Sequence, residues 1–166
     1  DLTPFGDVVA SILDKLPDSD TDILITLNQR NPQLFDVYRL QVFTGQLTLV
    51  AQNPGNIGNW TTDHNGQVRV ATTTDGVNST LLYRDTEQDD FKPILTTTFR
   101  ESLAPLFFTF DNKQLYCASN IGRDKSAIVV FDPHTATETQ ELFSHPEVDV
   151  SDLSYSRKRK VLTACY

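Results

Sequence analysis

Apolar residues along this chain fall in short runs separated by polar turns, and the runs recur at a fixed interval. Ile23-Leu24-Ile25, Val68-Arg69-Val70-Ala71, Leu115-Tyr116-Cys117-Ala118 and Val161-Leu162-Thr163-Ala164 align with successive offsets of 45, 47 and 46 residues. The runs carry strand signals without sustained helical periodicity. A period of this size is that of a propeller blade, one four-stranded antiparallel sheet repeated around an axis. The pattern predicts an all-β fold, a β-propeller segment of three four-stranded blades with a partial blade at each end. The predicted blades span residues 7–53, 57–99 and 103–146, and the partial blades 1–5 and 150–166. Residue 1 then falls in the last strand of one blade and residue 166 in the second strand of another, so a piece of a larger propeller is expected. A small propeller closed by its own terminal strands is the weaker reading, because the last blade lacks strands to close with.

Turn chemistry fixes the strands within each blade. In the second blade, strands are expected at 59–63, 67–74, 79–84 and 91–98. His64-Asn65-Gly66 and Asp75-Gly76-Val77-Asn78 sit where tight hairpins need positive φ. In the third blade, strands at 106–110, 114–120, 126–132 and 139–143 are separated by Asp111-Asn112-Lys113, by the loop 121–125 and by Pro133-His134-Thr135. In the first, strands at 8–16, 22–28, 36–43 and 46–52 are expected, the last two joined through Thr44-Gly45. Residues 8–16 also carry a weak helical pattern (Val9, Ile12, Leu13, Leu16), and the repeat decides for strand. Ile128-Val129-Val130-Phe131 is apolar on both faces, as a strand covered on both sides must be. Ten phenylalanines among 166 residues suit the widening wedge between blades.

Composition narrows the function classes. The net charge is −8, and four of the fourteen basic residues lie together at Arg157-Lys158-Arg159-Lys160. Such a surface repels phosphate backbones, so no nucleic-acid partner is expected. The basic run aligns with the turn at Asn65-Gly66 and is expected to be a solvated hairpin turn. No stretch of 18 apolar residues occurs, so no membrane partner is expected either. The chain contains no Met, which suggests a processed or engineered amino terminus. Cys117 and Cys165 are expected in adjacent blades at different depths, too far apart to bridge, and read as free buried thiols.

Candidate chemistry is sparse. Asp18-Ser19-Asp20-Thr21-Asp22 imitates the start of a calcium loop, but Ile23 stands where the loop needs Gly and Asn31 where it needs a bidentate Glu. It is better read as a polar turn that starts a strand. His64, His134 and His145 fall in turns of different blades without the close spacing of zinc ligands, and read as exposed turn histidines. Ser151, Asp152, Ser154 and His145 occur together without any Gly-x-Ser-x-Gly elbow, so no hydrolase triad is assigned. Asn59-Trp60-Thr61 and Asn78-Ser79-Thr80 match the glycosylation pattern and are treated as chance. No catalytic, cofactor-binding or metal-binding residue is assigned, and no cofactor is expected.

Three stretches carry a family resemblance: Asp22 to Pro32, Phe35 to Leu40, and Thr44 to Gly55. Together with Asp1-Leu2-Thr3-Pro4-Phe5, Ser119 to Asp124 and Phe143-Ser144-His145-Pro146, they resemble the propeller of bacterial peptidases of the prolyl oligopeptidase family. Dipeptidyl- and acylaminoacyl-peptidase-like members are the most similar. The resemblance implies a non-catalytic propeller that caps an α/β-hydrolase domain and restricts which peptides reach it. Family members hold a substrate amino terminus with a pair of propeller glutamates. Glu101, Glu138 and Glu141 come nearest to this, but no two are adjacent, and the role is not transferred. The expected function is therefore a substrate-gating propeller segment of a serine peptidase, inactive alone. Its partners would be the hydrolase domain of the parent chain and, through it, peptide substrates. A stand-alone protein-interaction propeller of WD-repeat or TolB type is the alternative, and a lectin-like ligand binder ranks last. Blade faces and strand edges left open by excision are expected to self-associate, with Val161 to Tyr166 as the seed.

Overall fold

A computed structural model describes residues 6–166. The described residues form fourteen strands and no helix. Strands β1 (Ala10–Asp14), β2 (Asp22–Asn31), β3 (Leu34–Gln41) and β4 (Leu47–Ala51) make the first sheet, paired in chain order. β5 (Ile57–Thr62), β6 (Val68–Thr74), β7 (Ser79–Tyr83) and β8 (Lys92–Thr97) make the second. β9 (Leu103–Phe108), β10 (Leu115–Ser119), β11 (Ala127–Asp132) and β12 (Thr137–Phe143) make the third. β13 (Leu153–Ser156) and β14 (Val161–Cys165) form a two-stranded sheet. All pairings are antiparallel. The strand expected over residues 1–5 lies outside the described residues.

Side-chain alternation stacks the sheets. In β11, Ala127, Val129 and Phe131 join Val70, Leu81 and Tyr83 of the second sheet, while Ile128 turns to Val150 and Leu153 on the other side. In β10, Leu115 and Cys117 face the second sheet and Ala118 faces the fourth. Leu24, Val37 and Ala51 pack on Trp60, Val68 and Ala71, joining the first sheet to the second. A strand with both faces covered has no room for a polar face, which is why β11 reads as a continuous apolar run. Cys117 and Cys165 pack on opposite sides of the third sheet, and both are free. Burial pushes the Cys117 thiol far above its ordinary value, so it stays protonated and inert.

Each inner hairpin places one residue in the left-handed region: Leu16 (φ 45°), Gly66 (72°), Asn112 (59°) and Lys160 (53°). At Gly66 the backbone requires it twice over. The Asp63 carboxylate accepts the N–H groups of Asn65 and Gln67, which tightens the turn. A Cβ on Gly66 would clash with Cδ2 of buried Leu16. Gly66→Ala is therefore expected to cost about 2 kcal/mol, combining left-handed strain with displacement of Leu16. A urea midpoint unchanged by the substitution would contradict this packing.

Several expected boundaries move. The inner strand expected at 106–110 runs from Leu103 to Phe108. Thr109 is drawn into the next turn by its bonds with Gln114 and Asn112, and Pro105 is tolerated because β9 is a sheet edge. Residues 8–16 do form a strand, over the shorter span Ala10–Asp14.

Candidate functional site

The innermost strand of each sheet faces a common concavity. β5 lies beside both β1 and β9. A cavity of about 540 Å³ is bordered by Leu13 to Lys15 and Pro17, Asn59 to His64, Pro105 to Phe107, Tyr155 and Arg157. Its floor is aliphatic and aromatic. At its mouth lie the inner hairpin turns, where most of the charge sits.

Two buried features hold that mouth in shape. Asp14 accepts the Leu16 N–H at 2.9 Å and the Thr62 hydroxyl at 2.7 Å, tying the first blade to the second. Arg69 lies between Val68 and Val70 in β6 and is buried. It pairs with Asp63 at 3.4 Å, donates to the Asn112 carbonyl at 2.8 Å and to the Tyr83 hydroxyl, and lies over the Phe108 ring. One guanidinium thus fixes the inner turns of the second and third blades together.

His64 departs from the exposed-turn expectation. Its ring nitrogen Nε2 donates to the Phe108 carbonyl at 2.9 Å, and its backbone N–H donates to the Asn112 side chain at 2.9 Å. The ring stacks on Phe110 (centroids 5.5 Å, interplanar angle 18°) and meets Tyr155 edge-on at 5.8 Å. Tyr155 in turn lies 4.3 Å from Phe107. The inner turns converge on one axis, so a turn residue that looks solvent-facing within its own blade is covered by the turns of its neighbours. Arg157 departs for the same reason. Its Nη2 donates to Asp18 at 2.7 Å, across 139 residues of chain, and to the His64 carbonyl at 3.2 Å. Lys158, Arg159 and Lys160 are exposed, as a solvated turn requires.

The other residues singled out in the sequence are scattered. Within 18–22, Asp18 is held by Arg157, and the Ser19 hydroxyl accepts the N–H groups of Thr21 and Asp22, making a polar turn. Glu138 and Glu141 both bind Arg123, at 2.6 and 3.1 Å, and Glu101 accepts the Gly122 N–H at 3.0 Å. These three carboxylates brace the loop around Gly122 on the third blade, and Glu138 and Glu141 also accept the Ser119 and Ser144 hydroxyls. The Ser144 hydroxyl, ahead of Arg123, holds the Glu141 carboxyl below its ordinary value. His134 is exposed beside Tyr83 and lies 3.7 Å from Asp85. His145 accepts the Glu147 N–H, Asp152 accepts the Leu153 N–H, and Ser154 bonds Thr163. No bond joins His145, Asp152 and Ser154 to one another among the described residues. Asn59 is exposed on the inner strand β5, and Asn78 caps its own hairpin through Asp75. Among the described residues no group of three His, Cys, Asp or Glu side chains is placed to hold a metal ion.

Comparison with solved structures bears on this arrangement of radial sheets. TolB from Acinetobacter baumannii superposes on 90% of the chain with a TM-score of 0.64 at 14% identity. The fold is propeller-like. An oligogalacturonate lyase in complex with manganese superposes with a TM-score of 0.39 at 12% identity, and nothing is drawn from it. No family model matches the chain. Among curated proteins, dipeptidyl aminopeptidase BIII of Pseudoxanthomonas mexicana is 26% identical over 147 residues, 84% of this chain. The chain spans 20% of that relative's length and 36% of the TolB chain.

Proposed function

We propose that the chain is a non-catalytic propeller segment of a bacterial serine peptidase of the prolyl oligopeptidase family. Its inner strands line a channel that limits which peptides reach a hydrolase domain elsewhere in the parent protein. The observation that carries this is the coincidence of two findings. The sequence is similar to a dipeptidyl aminopeptidase over most of its length, and a concavity of about 540 Å³ is lined from the four inner strands. The chain alone is expected to leave dipeptidyl p-nitroanilides uncleaved. The coding sequence continuing past residue 166 is expected to reach a Gly-x-Ser-x-Gly elbow. Turnover that survives repurification, or a stop codon directly after residue 166, would overturn the proposal.

The isolated chain is also proposed to self-associate. The first blade leaves Val9, Ile12, Phe43 and Leu49 exposed, and β14 is a free edge among the described residues. Leu162, in the expected seed, packs inward against Ala118, Ile128 and Leu153. Its replacement by lysine would disturb blade packing, so it cannot isolate association. Val161 points outward, 46% exposed. Val161→Lys is expected to lower the sedimentation coefficient at about 100 μM, a concentration that reveals micromolar interfaces. A wild-type chain that sediments as a monomer there would refute the idea.

A further inference from the structure

We infer that the channel mouth is a carboxylate-binding site for peptides, with Arg157 as the gripping residue and the Phe110 and Tyr155 rings as the wall for the neighbouring side chain. The inference rests on the channel reading above. Three adjoining cavities, of about 540, 130 and 330 Å³, all border both His64 and Arg157. No other residue borders all three, so His64 and Arg157 stand where these cavities adjoin.

The guanidinium is only partly used. Its bonds to Asp18 and to the His64 carbonyl both come from Nη2, and Nε and Nη1 make no bond among the described residues. A guanidinium offers five N–H groups in a planar fork that matches a carboxylate with two parallel bonds. The present acceptor is itself a carboxylate. Asp18 is 85% exposed and held by this single contact, so it can yield to a ligand at little cost. The remaining charges favour an anion. Lys15 and Lys160 border the same cavities, and neither has an acidic partner among the described residues. Asp14, Asp18 and Asp63 are the carboxylates that border these cavities, and Asp63 is already paired with Arg69. Against them stand Lys15, Arg39, Arg157 and Lys160, so on a chain of net charge −8 cations outnumber carboxylates where these inner turns meet. Low-dielectric walls around such a patch focus its field on an incoming anion. Tyr155, 37% exposed beside Phe107 and Phe110, gives an apolar or aromatic side chain a surface next to the grip.

The test uses a fluorescein-labelled octapeptide ending in Leu, as the free acid and as the amide, and the amide with an internal Glu. Fluorescence polarisation on the whole chain is expected to show the free acid binding about tenfold more tightly than the amide, the worth of a charge-assisted hydrogen bond. Recovery of affinity by the Glu peptide would assign the same grip to acidic side chains as well as to chain ends. Arg157→Gln is expected to erase the difference between acid and amide. Asp18→Asn is expected to tighten acid binding, because it removes the internal competitor. A merely structural ion pair predicts the opposite, weaker binding in Asp18→Asn. Equal affinity of acid and amide, weakening by Asp18→Asn, or no binding of any peptide would each overturn the inference. The channel reading itself would then still be decided by the long-peptide assay that closes the Discussion.

Discussion

Phe108→Ala is expected to remove about 3–5 kcal/mol of stability, the cost of emptying a large buried ring site. Phe108 is fully buried at the end of β9 and packs between the second and third sheets with Val70, Tyr83, Leu115 and Phe131. Arg69 lies 4.8 Å over its ring, and its carbonyl receives the His64 ring N–H. The cavity would form where the core of two blades meets the turns of the channel mouth. Collapse around it is restricted by sheets packed on both sides, so the loss falls toward the upper end of the range. Urea unfolding reads the effect directly as a lowered midpoint. A loss below about 1 kcal/mol would mean that the second and third blades are not packed through this ring.

The second large effect lies in the first blade. Asp36 is completely buried. Its carboxylate takes two bonds from Arg30, at 2.8 and 2.9 Å, and the Asn53 N–H at 2.7 Å. Arg30 also donates to the Asn53 carbonyl at 2.7 Å, so one pair closes the end of the blade. Asp36→Ala leaves the buried Asn53 N–H without its acceptor and is expected to cost about 2–3 kcal/mol. The side-chain exposure of Arg30, 38%, keeps the figure below that of a fully buried pair. Burial pushes the Asp36 carboxyl up, but the Arg30 and Asn53 hydrogen bonds outweigh it and leave it below the ordinary aspartate value of 3.8. A depressed folded value means that the ionised form favours the fold. The contribution is complete above the ordinary value and fades as pH falls through the lower folded-state value. The stability gap between wild type and Asp36→Ala is therefore expected to be constant near neutrality and to narrow in acid. A gap that widened with acid would contradict the sign.

Much of the blade plan was legible because its signals are local. The apolar runs at Ile23, Val68, Leu115 and Val161 occupy the second strand of each sheet, and Gly66 and Gly76 mark hairpins whose φ values, 72° and 93°, only glycine adopts freely. The displaced inner strand at Leu103–Phe108 was not legible, since it turns on whether Thr109 joins a strand or a turn. The candidate site was mostly hidden. Its central contact joins residues 18 and 157, and no short-range pattern reports a pairing across that distance. Two signals were nonetheless present. Residues 64 and 157 stand at the same offset before their aligned strands, so radial blades must bring both to the axis. Arg69 is a charge inside the apolar run Val68 to Ala71, which implies a buried partner network. For the glutamates 101, 138 and 141, the family resemblance raised a ligand-binding role that was not transferred because no two are adjacent, and the structure engages them with Arg123 and a backbone N–H.

The gating claim is tested most directly in the hydrolase-bearing peptidase that the proposal assigns to this chain. Asn59 is exposed on β5 and borders the channel. Asn59→Trp would fill part of that space without touching a buried contact. The account predicts that this substitution slows hydrolysis of a ten-residue peptide severalfold and leaves cleavage of a dipeptidyl p-nitroanilide at the wild-type rate. Equal rates on both substrates before and after the substitution, or equal losses on both, would contradict it.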